Sequence, residues 1–222
     1  MIYSSQLKKL LVSDHSIIGK ERYLNSAVLI PILNKNDEEF ILFEKRSTTV
    51  RQPGEISFPG GHFDPAKDES FLNTALRETS EELGISENAI SILGKLGTLI
   101  TPMEIIVESY VGVLNIDKTA DLKIDPKEVD KVFLVPLKYF LENKPLEYHT
   151  RLELHPHGLN ENGERVELLP VKELGLPKRY ANPWTRGRHR VLVYNYMNEV
   201  IWGITAELIF ELSSKLKTNE NK

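Results

Sequence analysis

Residues 69–84 have the sequence ESFLNTALRETSEELG, which carries the clearest structural signal of the chain. Its apolar side chains recur at the spacing of one helix face, which predicts an amphipathic helix from about Glu69 to Leu83. Asp68 precedes this helix and is expected to cap its first turn, and Gly84 stands where a left-handed residue ends a helix. The face expected to point into the core carries Leu72, Ala75, Leu76, Thr79 and Leu83.

A second face of this helix is strongly acidic. Glu78, Glu81 and Glu82 fall within an arc of roughly 100° when each residue turns the helix by about 100°. Carboxylates on adjoining turns repel one another by roughly a few tenths of a kcal/mol per pair, and no lysine lies on this face to offset that cost. A solvated acidic surface explains the pattern, and so does a site for a hard cation, since Mg²⁺ prefers carboxylate oxygens and substrate phosphates. The helix alone leaves both interpretations open.

The segment before the helix adds a second feature. Residues 46–68 contain several glycines, prolines and charged residues, which predicts one long loop of the kind that usually carries a function. Its run Phe58-Pro59-Gly60-Gly61 ends in two residues without side chains, so backbone groups there can come close to a metal ion or a phosphate. A plain turn explains these four residues equally well in isolation. A glycine run followed by an acidic helix favours a site for metal and phosphate.

The rest of the chain predicts a mixed α/β domain. Strand-like runs alternate with two further helices, one after Pro136 and one over residues 203–216, and a short helix capped by Ser4 or Ser5 precedes the first strand. Residues 145–190 predict no defined element. This order predicts a mixed sheet between helices packed on both of its faces. The predicted strands cover residues 26–33, 40–44, 91–100, 105–114, 132–135 and 190–196.

Composition narrows the class of protein. A chain of 222 residues, with 41% hydrophobic and 27% charged residues, is long enough for one globular domain with a sizeable core. A mean hydropathy of -0.29, with no apolar run of roughly 18–20 residues, argues against a membrane protein. The net charge of -4 argues against binding of duplex nucleic acid by bulk electrostatics. The lack of cysteine excludes thiolate metal sites and cysteine nucleophiles, and with an N-terminus unlike a signal peptide it predicts a cytoplasmic protein.

The acidic helix and its flanks resemble the Nudix box, the signature of hydrolases that act on nucleoside diphosphates linked to another moiety. Glu69 is followed after seven residues by Arg77-Glu78, after two more by Glu81-Glu82, and after one more by Gly84-Ile85. This spacing matches the box fully. The chain is therefore identified as a member of the Nudix family by resemblance.

Features upstream resemble the branch of this family that hydrolyses coenzyme A. The leading glycine of the box would fall at Phe63, whereas the nearest glycine is Gly61, and the coenzyme A branch carries the same insertion. Glu44 departs from the threonine that is usual in that branch, and the spacing between Arg51 and Gly54 is one residue shorter. The motif of the branch is matched at Arg46-Ser47, Arg51, Gly54 and residues 58–61, and again at residues 202–206.

The resemblance implies a Nudix-type α/β/α sandwich over a single domain of residues 1–222, with its core at about residues 26–212. It implies a Mg²⁺ or Mn²⁺ ion bound by Glu78 and Glu82, with Glu81 as a further ligand or as the base that activates the attacking water. Arg77 would hold the helix carboxylates by an ion pair, and Glu128, outside the box, is a candidate distal base. The expected substrate-binding groups are Arg46, Arg51, Gly60 and Gly61.

The reaction implied for this branch cleaves coenzyme A or its thioesters to adenosine 3′,5′-bisphosphate and 4′-phosphopantetheine products. Arginine forks suit the diphosphate and the 3′-phosphate, although exposed loop cations are an alternative explanation for Arg46 and Arg51. ADP-ribose, a dinucleotide or a damaged nucleoside triphosphate are alternative substrates. A ligand-sensing domain usually loses box glutamates, which this chain retains, and the net charge disfavours a capped-RNA hydrolase. The expected partner is a small nucleotide, with no nucleic acid and no membrane.

Overall fold

The computed structural model describes residues 17–116 and 118–220, so the short helix expected after Ser4 or Ser5 lies outside the described residues. The described chain divides into two compact units. The first is formed by residues 17–34, 58–116 and 118–129, and the second by residues 35–57 and 130–220. No helix within these residues is both long enough and apolar enough to cross a membrane.

Strands and helices lie close to where the sequence predicts them. Each predicted strand overlaps an observed one, and the prediction for residues 105–114 coincides with the observed strand. The strands are β1 (Leu24–Lys35), β2 (Glu38–Arg46), β3 (Ile56–Ser57), β4 (Gly60–His62), β5 (Ile90–Ile100), β6 (Ile105–Leu114), β7 (Val129–Pro136), β8 (Leu146–Leu154), β9 (His157–Leu159), β10 (Arg165–Glu167), β11 (Trp184–Tyr196) and β12 (Glu199–Trp202). The α-helices are α1 (Phe71–Leu83), α2 (Leu137–Glu142) and α3 (Gly203–Glu220).

The sheet of the first unit mixes parallel and antiparallel neighbours, which confirms the predicted α/β class. β1 runs parallel to β6 and antiparallel to β4, while β5 is antiparallel to β6. In this register, Ala27 of β1 lies between Gly61 of β4 and Glu108 of β6. β1 is buried on both faces from Leu29 to Leu33, as expected for a strand with a parallel neighbour. Helix α1 packs against β4 and β6, which brings its acidic residues to the glycines of β4.

The second unit combines paired strands with the two remaining helices. β11 pairs with β8 and β12, and β2 pairs with β3 and β7. Helix α3 packs against β11 and β12, and α2 packs against β2. The side chains of Phe43, Phe140 and Tyr194 are almost fully buried. The ring centroids of Phe43 and Tyr194 lie 5.9 Å and 5.1 Å, respectively, from the ring centroid of Phe140. This aromatic core supports β2, from which the loop with Arg51 leaves.

Helix α1 begins later than the sequence predicts. It starts at Phe71, and its cap is Ser70, whose hydroxyl accepts the N–H of Asn73. The expectation that Asp68 caps this helix is wrong. Aspartate and serine are about equally good caps, so local preference could not decide between the two positions. Gly84 ends the helix with a φ of 63°, which confirms the predicted left-handed terminator.

Two regions for which the sequence predicts no strand contain strands. The supposed loop of residues 46–68 includes β3 and β4, and residues 145–190 include β8, β9, β10 and the first half of β11. Gly60 and Gly61 have poor strand propensity, yet they pair with Val28 and Ala27 of β1. Pairing with a distant strand overrides local propensity here, and a local pattern cannot show it.

Candidate functional site

Two glycines on β4 allow close approaches of different kinds. Gly60 has a φ of 156°, and a Cβ built there would overlap the carbonyl oxygen of Ala27 and lie 2.7 Å from the Cα of Val28. A Cβ built on Gly61 would instead overlap the carboxylate of Glu78, lying 2.8 Å from its Oε2. Gly60 therefore permits β4 to approach β1, and Gly61 permits a helix carboxylate to approach β4.

Glu82 fastens helix α1 to β4. The residue is only 4% exposed, and its Oε2 accepts the N–H of Gly60 at 2.9 Å. A charge-assisted hydrogen bond of this kind holds a buried carboxylate in one orientation. Glu82 therefore does not belong to a solvated acidic surface, which was one of the two interpretations that the helix sequence allowed.

Arg77 lies between the two other glutamates of the acidic face. Its Nη1 is 2.8 Å from Oε1 of Glu78 and 3.2 Å from Oε2 of Glu81. The Glu78 side chain is largely buried, whereas that of Glu81 is 61% exposed. The guanidinium thus offsets part of the repulsion between these carboxylates and leaves Glu81 accessible to solvent.

Asp68 binds the other edge of the Arg77 fork. Nε lies 2.8 Å from Oδ1 and Nη2 lies 2.9 Å from Oδ2, and the Asp68 side chain is 1% exposed. The hydroxyl of Thr74 and the backbone N–H of Asp64 also donate to Oδ2, at 2.9 Å and 3.2 Å. The hydrogen bonds from Arg77 are the main reason why the pKa of Asp68 lies well below its ordinary value, although burial opposes them. Sequence analysis missed this contact because a separation of nine residues matches no spacing on one helix face.

The electrostatics of Glu78 reflect its crowded position. Its pKa is raised, chiefly because burial disfavours the charged carboxylate. Arg77 opposes this shift, while the negative charges of Glu81 and Glu128 add to it. Glu128 is itself exposed, and its N–H donates to the carbonyl oxygen of Asp125 at 3.0 Å. The charge of the candidate distal base is thus close enough to act on the acidic helix face.

The donor set of this region suits a cation that prefers oxygen ligands. Within residues 17–116 and 118–220, no three acidic or histidine side chains are already arranged as a metal site. Two of the helix glutamates are turned to Arg77 and the third to Gly60, so hydrogen bonds hold their present positions. The Glu78 carboxylate fills the room that Gly61 leaves on β4. The oxygen-only donor set and the excess of negative charge in this region fit Mg²⁺ or Mn²⁺. The carboxylates of this region belong to Asp68, Glu78, Glu81, Glu82 and Glu128.

The expected substrate-binding arginines lie in the second unit and differ in their surroundings. Arg46 ends β2, and its Nε donates to the carbonyl oxygen of Arg51 at 3.0 Å. The N–H of Arg46 donates to the carbonyl of Glu55 at 2.9 Å, and the N–H of Gly54 donates to the carbonyl of Arg46 at 3.0 Å. Arg46 therefore braces this loop, whereas Arg51 is exposed.

Replacing Asp68 by Asn is expected to destabilise the fold by about 3 kcal/mol near neutral pH, because the partly buried guanidinium loses its buried counter-ion. Folding lowers the pKa of Asp68, so the wild-type carboxylate stabilises the fold above its unfolded pKa of about 3.9 and loses this contribution as the pH falls below it. The difference in unfolding free energy between wild type and Asp68→Asn should therefore be smaller at about pH 3 than at about pH 7. Urea denaturation at both pH values measures this difference, and a constant difference would contradict the ion pair.

Comparisons with known proteins point to one family. The family model described as NUDIX domain matches residues 23–186. Over 194 residues the chain is 31% identical to "Uncharacterized Nudix hydrolase NudL" of Photorhabdus laumondii, covering 87% of this chain and 85% of the relative. A protein of the same name from Yersinia pestis is 29% identical over 205 residues, covering 92% of this chain and 86% of the relative. The solved structure of a MutT/nudix family protein from Enterococcus faecalis superposes with a TM-score of 0.50 at 13% identity, covering 98% of this chain and 69% of that chain, and supports the fold alone.

Proposed function

This chain belongs to the Nudix family of hydrolases, and we propose that its substrate is coenzyme A or one of its thioesters. Cleavage of the diphosphate gives adenosine 3′,5′-bisphosphate and 4′-phosphopantetheine, or the acylated form of the latter. The observation that carries the proposal is the match to the Nudix box from Glu69 to Ile85, most of which lies on α1, together with the coenzyme A-type motif between Arg46 and Gly61.

Nudix hydrolases generally use a divalent metal ion. We assign Mg²⁺ or Mn²⁺ to Glu78 and Glu82, with Glu81 as a third ligand or as the base. When bound, the ion neutralises charge on the diphosphate and lowers the pKa of the attacking water. The assignment is supported by the oxygen-only donor set and by the close approach of the Glu78 carboxylate to β4 that Gly61 permits.

The protein groups of this site have separate tasks in the proposed reaction. Glu82 is held by a backbone N–H of β4, so its carboxylate keeps one orientation. Arg77 restrains Glu78 and Glu81 through the same nitrogen. Glu81 is accessible and can accept the proton of the attacking water. Glu128 is the alternative base, because its charge acts on Glu78 from outside the box.

Product analysis tests the substrate. The protein is incubated with coenzyme A, acetyl-coenzyme A, ADP-ribose, a dinucleotide and nucleoside triphosphates in the presence of Mg²⁺ or Mn²⁺, and the products are identified by mass spectrometry. We expect the two coenzyme A compounds to be cleaved, with label from ¹⁸O-water in a phosphate of one product. Efficient cleavage of ADP-ribose or a triphosphate with inert coenzyme A would refute the proposed substrate. Tight nucleotide binding without any product would favour a sensing domain.

Arg51 is expected to recognise the 3′-phosphate of coenzyme A, because its side chain is exposed while that of Arg46 braces the loop. A hydrogen bond between charged groups is worth about 1.5–3 kcal/mol, so Arg51→Ala should lower kcat/KM for coenzyme A roughly tenfold or more. Dephospho-coenzyme A lacks the 3′-phosphate, and its kcat/KM should not change. Steady-state kinetics with both substrates measures the two effects.

Arg165→Ala is a matched control for this variant. Arg165 is an exposed arginine on β10, outside the motif that resembles the coenzyme A branch, and its removal should leave both rates unchanged. An equal loss on both substrates in Arg51→Ala would indicate a general defect of the loop. That result would contradict recognition of the 3′-phosphate by Arg51.

A further inference from the structure

The acidic residue that binds Arg77 is not the one that the box provides. The box places its first acidic residue at Glu69, yet Glu69 is exposed and the Arg77 fork binds Asp68. We propose that Asp68 is a positioning residue for the metal-binding glutamates and acts on them through Arg77. This inference rests on the proposed function, because it needs a cation bound at Glu78 and Glu82.

Hydrogen bonds fix Asp68 and Arg77 as one unit. Asp68 binds Nε and Nη2 of the fork, which sets the plane of the guanidinium and directs Nη1 to Glu78 and Glu81. Asp68 is in turn held by the hydroxyl of Thr74, one turn into α1. The place of the Glu78 carboxylate beside β4 therefore depends on Asp68, which is linked to the glutamate through Arg77.

The orientation of Arg77 decides how many carboxylate oxygens are available to a cation. An arginine fork that is free to turn binds a carboxylate with two parallel hydrogen bonds. Without Asp68, the fork could bind Glu78 or Glu81 in this way and occupy both oxygens of that carboxylate. Asp68 confines the contact with both glutamates to Nη1, so each keeps an oxygen away from the guanidinium.

Mn²⁺ binding in the absence of substrate tests this role. Changes to residues that orient metal ligands typically weaken metal binding by about 10–100-fold, so Asp68→Asn should raise the Kd for Mn²⁺ about tenfold or more. Electron paramagnetic resonance of free Mn²⁺ measures the Kd, and circular dichroism records the melting temperature. Glu69→Gln is the matched control, since Glu69 is the exposed neighbour, and it should bind Mn²⁺ as the wild type does. A lower melting temperature with an unchanged Kd in Asp68→Asn would overturn the proposal.

A second pair of variants gives an answer if Asp68→Asn does not fold. Arg77→Met is compared with Asp68→Asn/Arg77→Met, in which both charges are absent and no buried ion is left unpaired. Because Asp68 acts through Arg77, the two variants should have the same Kd for Mn²⁺, and both should bind more weakly than the wild type. An additional loss in the double variant, or wild-type binding in both, would overturn the proposal.

The same measurement separates this inference from the proposed function. Glu82→Gln should abolish Mn²⁺ binding if the metal site is correct, and unchanged binding in that variant would refute the site and the inference together. Loss of binding in Glu82→Gln but not in Asp68→Asn would refute only the role of Asp68. If both variants lost Mn²⁺ binding while the wild type failed to cleave coenzyme A, the role of Asp68 would be supported and only the proposed substrate would be refuted.

Discussion

Replacing Glu82 by Gln is expected to lower metal-supported hydrolysis by about 10³-fold or more, since stabilisation of charge by a metal ion amounts to several kcal/mol. The variant should remain folded, because the side-chain oxygen of Gln can still accept the N–H of Gly60 and the repulsion among the helix carboxylates falls. Kinetics at saturating Mg²⁺ or Mn²⁺ measure the activity, and urea denaturation measures the stability.

Glu87→Gln provides the comparison for this variant. Glu87 is exposed just beyond the end of α1 and lies outside the box, so the variant should have wild-type activity. Wild-type turnover in Glu82→Gln, or undiminished activity of the wild type after chelation, would show that the metal assignment is wrong.

Replacing Gly61 by Ala is expected to lower activity by about 10²-fold without unfolding the protein, since a shift of about 1 Å in a reacting group can cost that much. The added Cβ would overlap the carboxylate of Glu78, which is the far end of a flexible side chain and can move away. The expected change is therefore a displaced Glu78 carboxylate, the proposed metal ligand, rather than a disrupted sheet. The melting temperature and kcat/KM of the variant test the two parts of this expectation.

Gly60→Ala provides the comparison, because it should affect stability rather than the position of Glu78. Its Cβ would meet the backbone of Ala27 and Val28, which cannot move aside, and alanine is strained at a φ of 156°. We expect the free energy of unfolding of this variant to fall by about 1–3 kcal/mol from backbone strain alone. If Gly61→Ala were instead the less stable of the two variants, or were fully active, the close approach of Glu78 to β4 would not be what activity requires at this position.

The helix that carries the site could be predicted because its signals are local. The spacing of apolar residues and a terminal glycine act within a few positions, and the end at Gly84 is confirmed. The start of the helix could not be fixed in the same way. Asp68 and Ser70 are both suitable caps, and what decides between them is the ion pair of Asp68 with Arg77, which exists only in the folded chain.

Residues whose surroundings depend on distant strands could not be placed from the sequence. Gly60 and Gly61 have the local character of a loop, but they form a strand because β1 supplies their partners. Glu82 shares a helix face with Glu78 and Glu81, yet it is buried because β4 provides its hydrogen-bond donor. In both cases the deciding contacts are tertiary, so no local sequence pattern shows them.

The dependence of β4 on β1 limits what the box can do outside this protein. Ser26 of β1 lies opposite His62 of β4, and its hydroxyl donates to the carbonyl oxygen of Ile106, 80 residues further along the chain. A fragment of residues 58–85 would include every residue of the box but no strand to pair with β4. The motif therefore cannot form its site when it is transferred alone to another protein. A host protein into which it is grafted must already offer an open strand edge beside the helix, or it receives an acidic helix and no site.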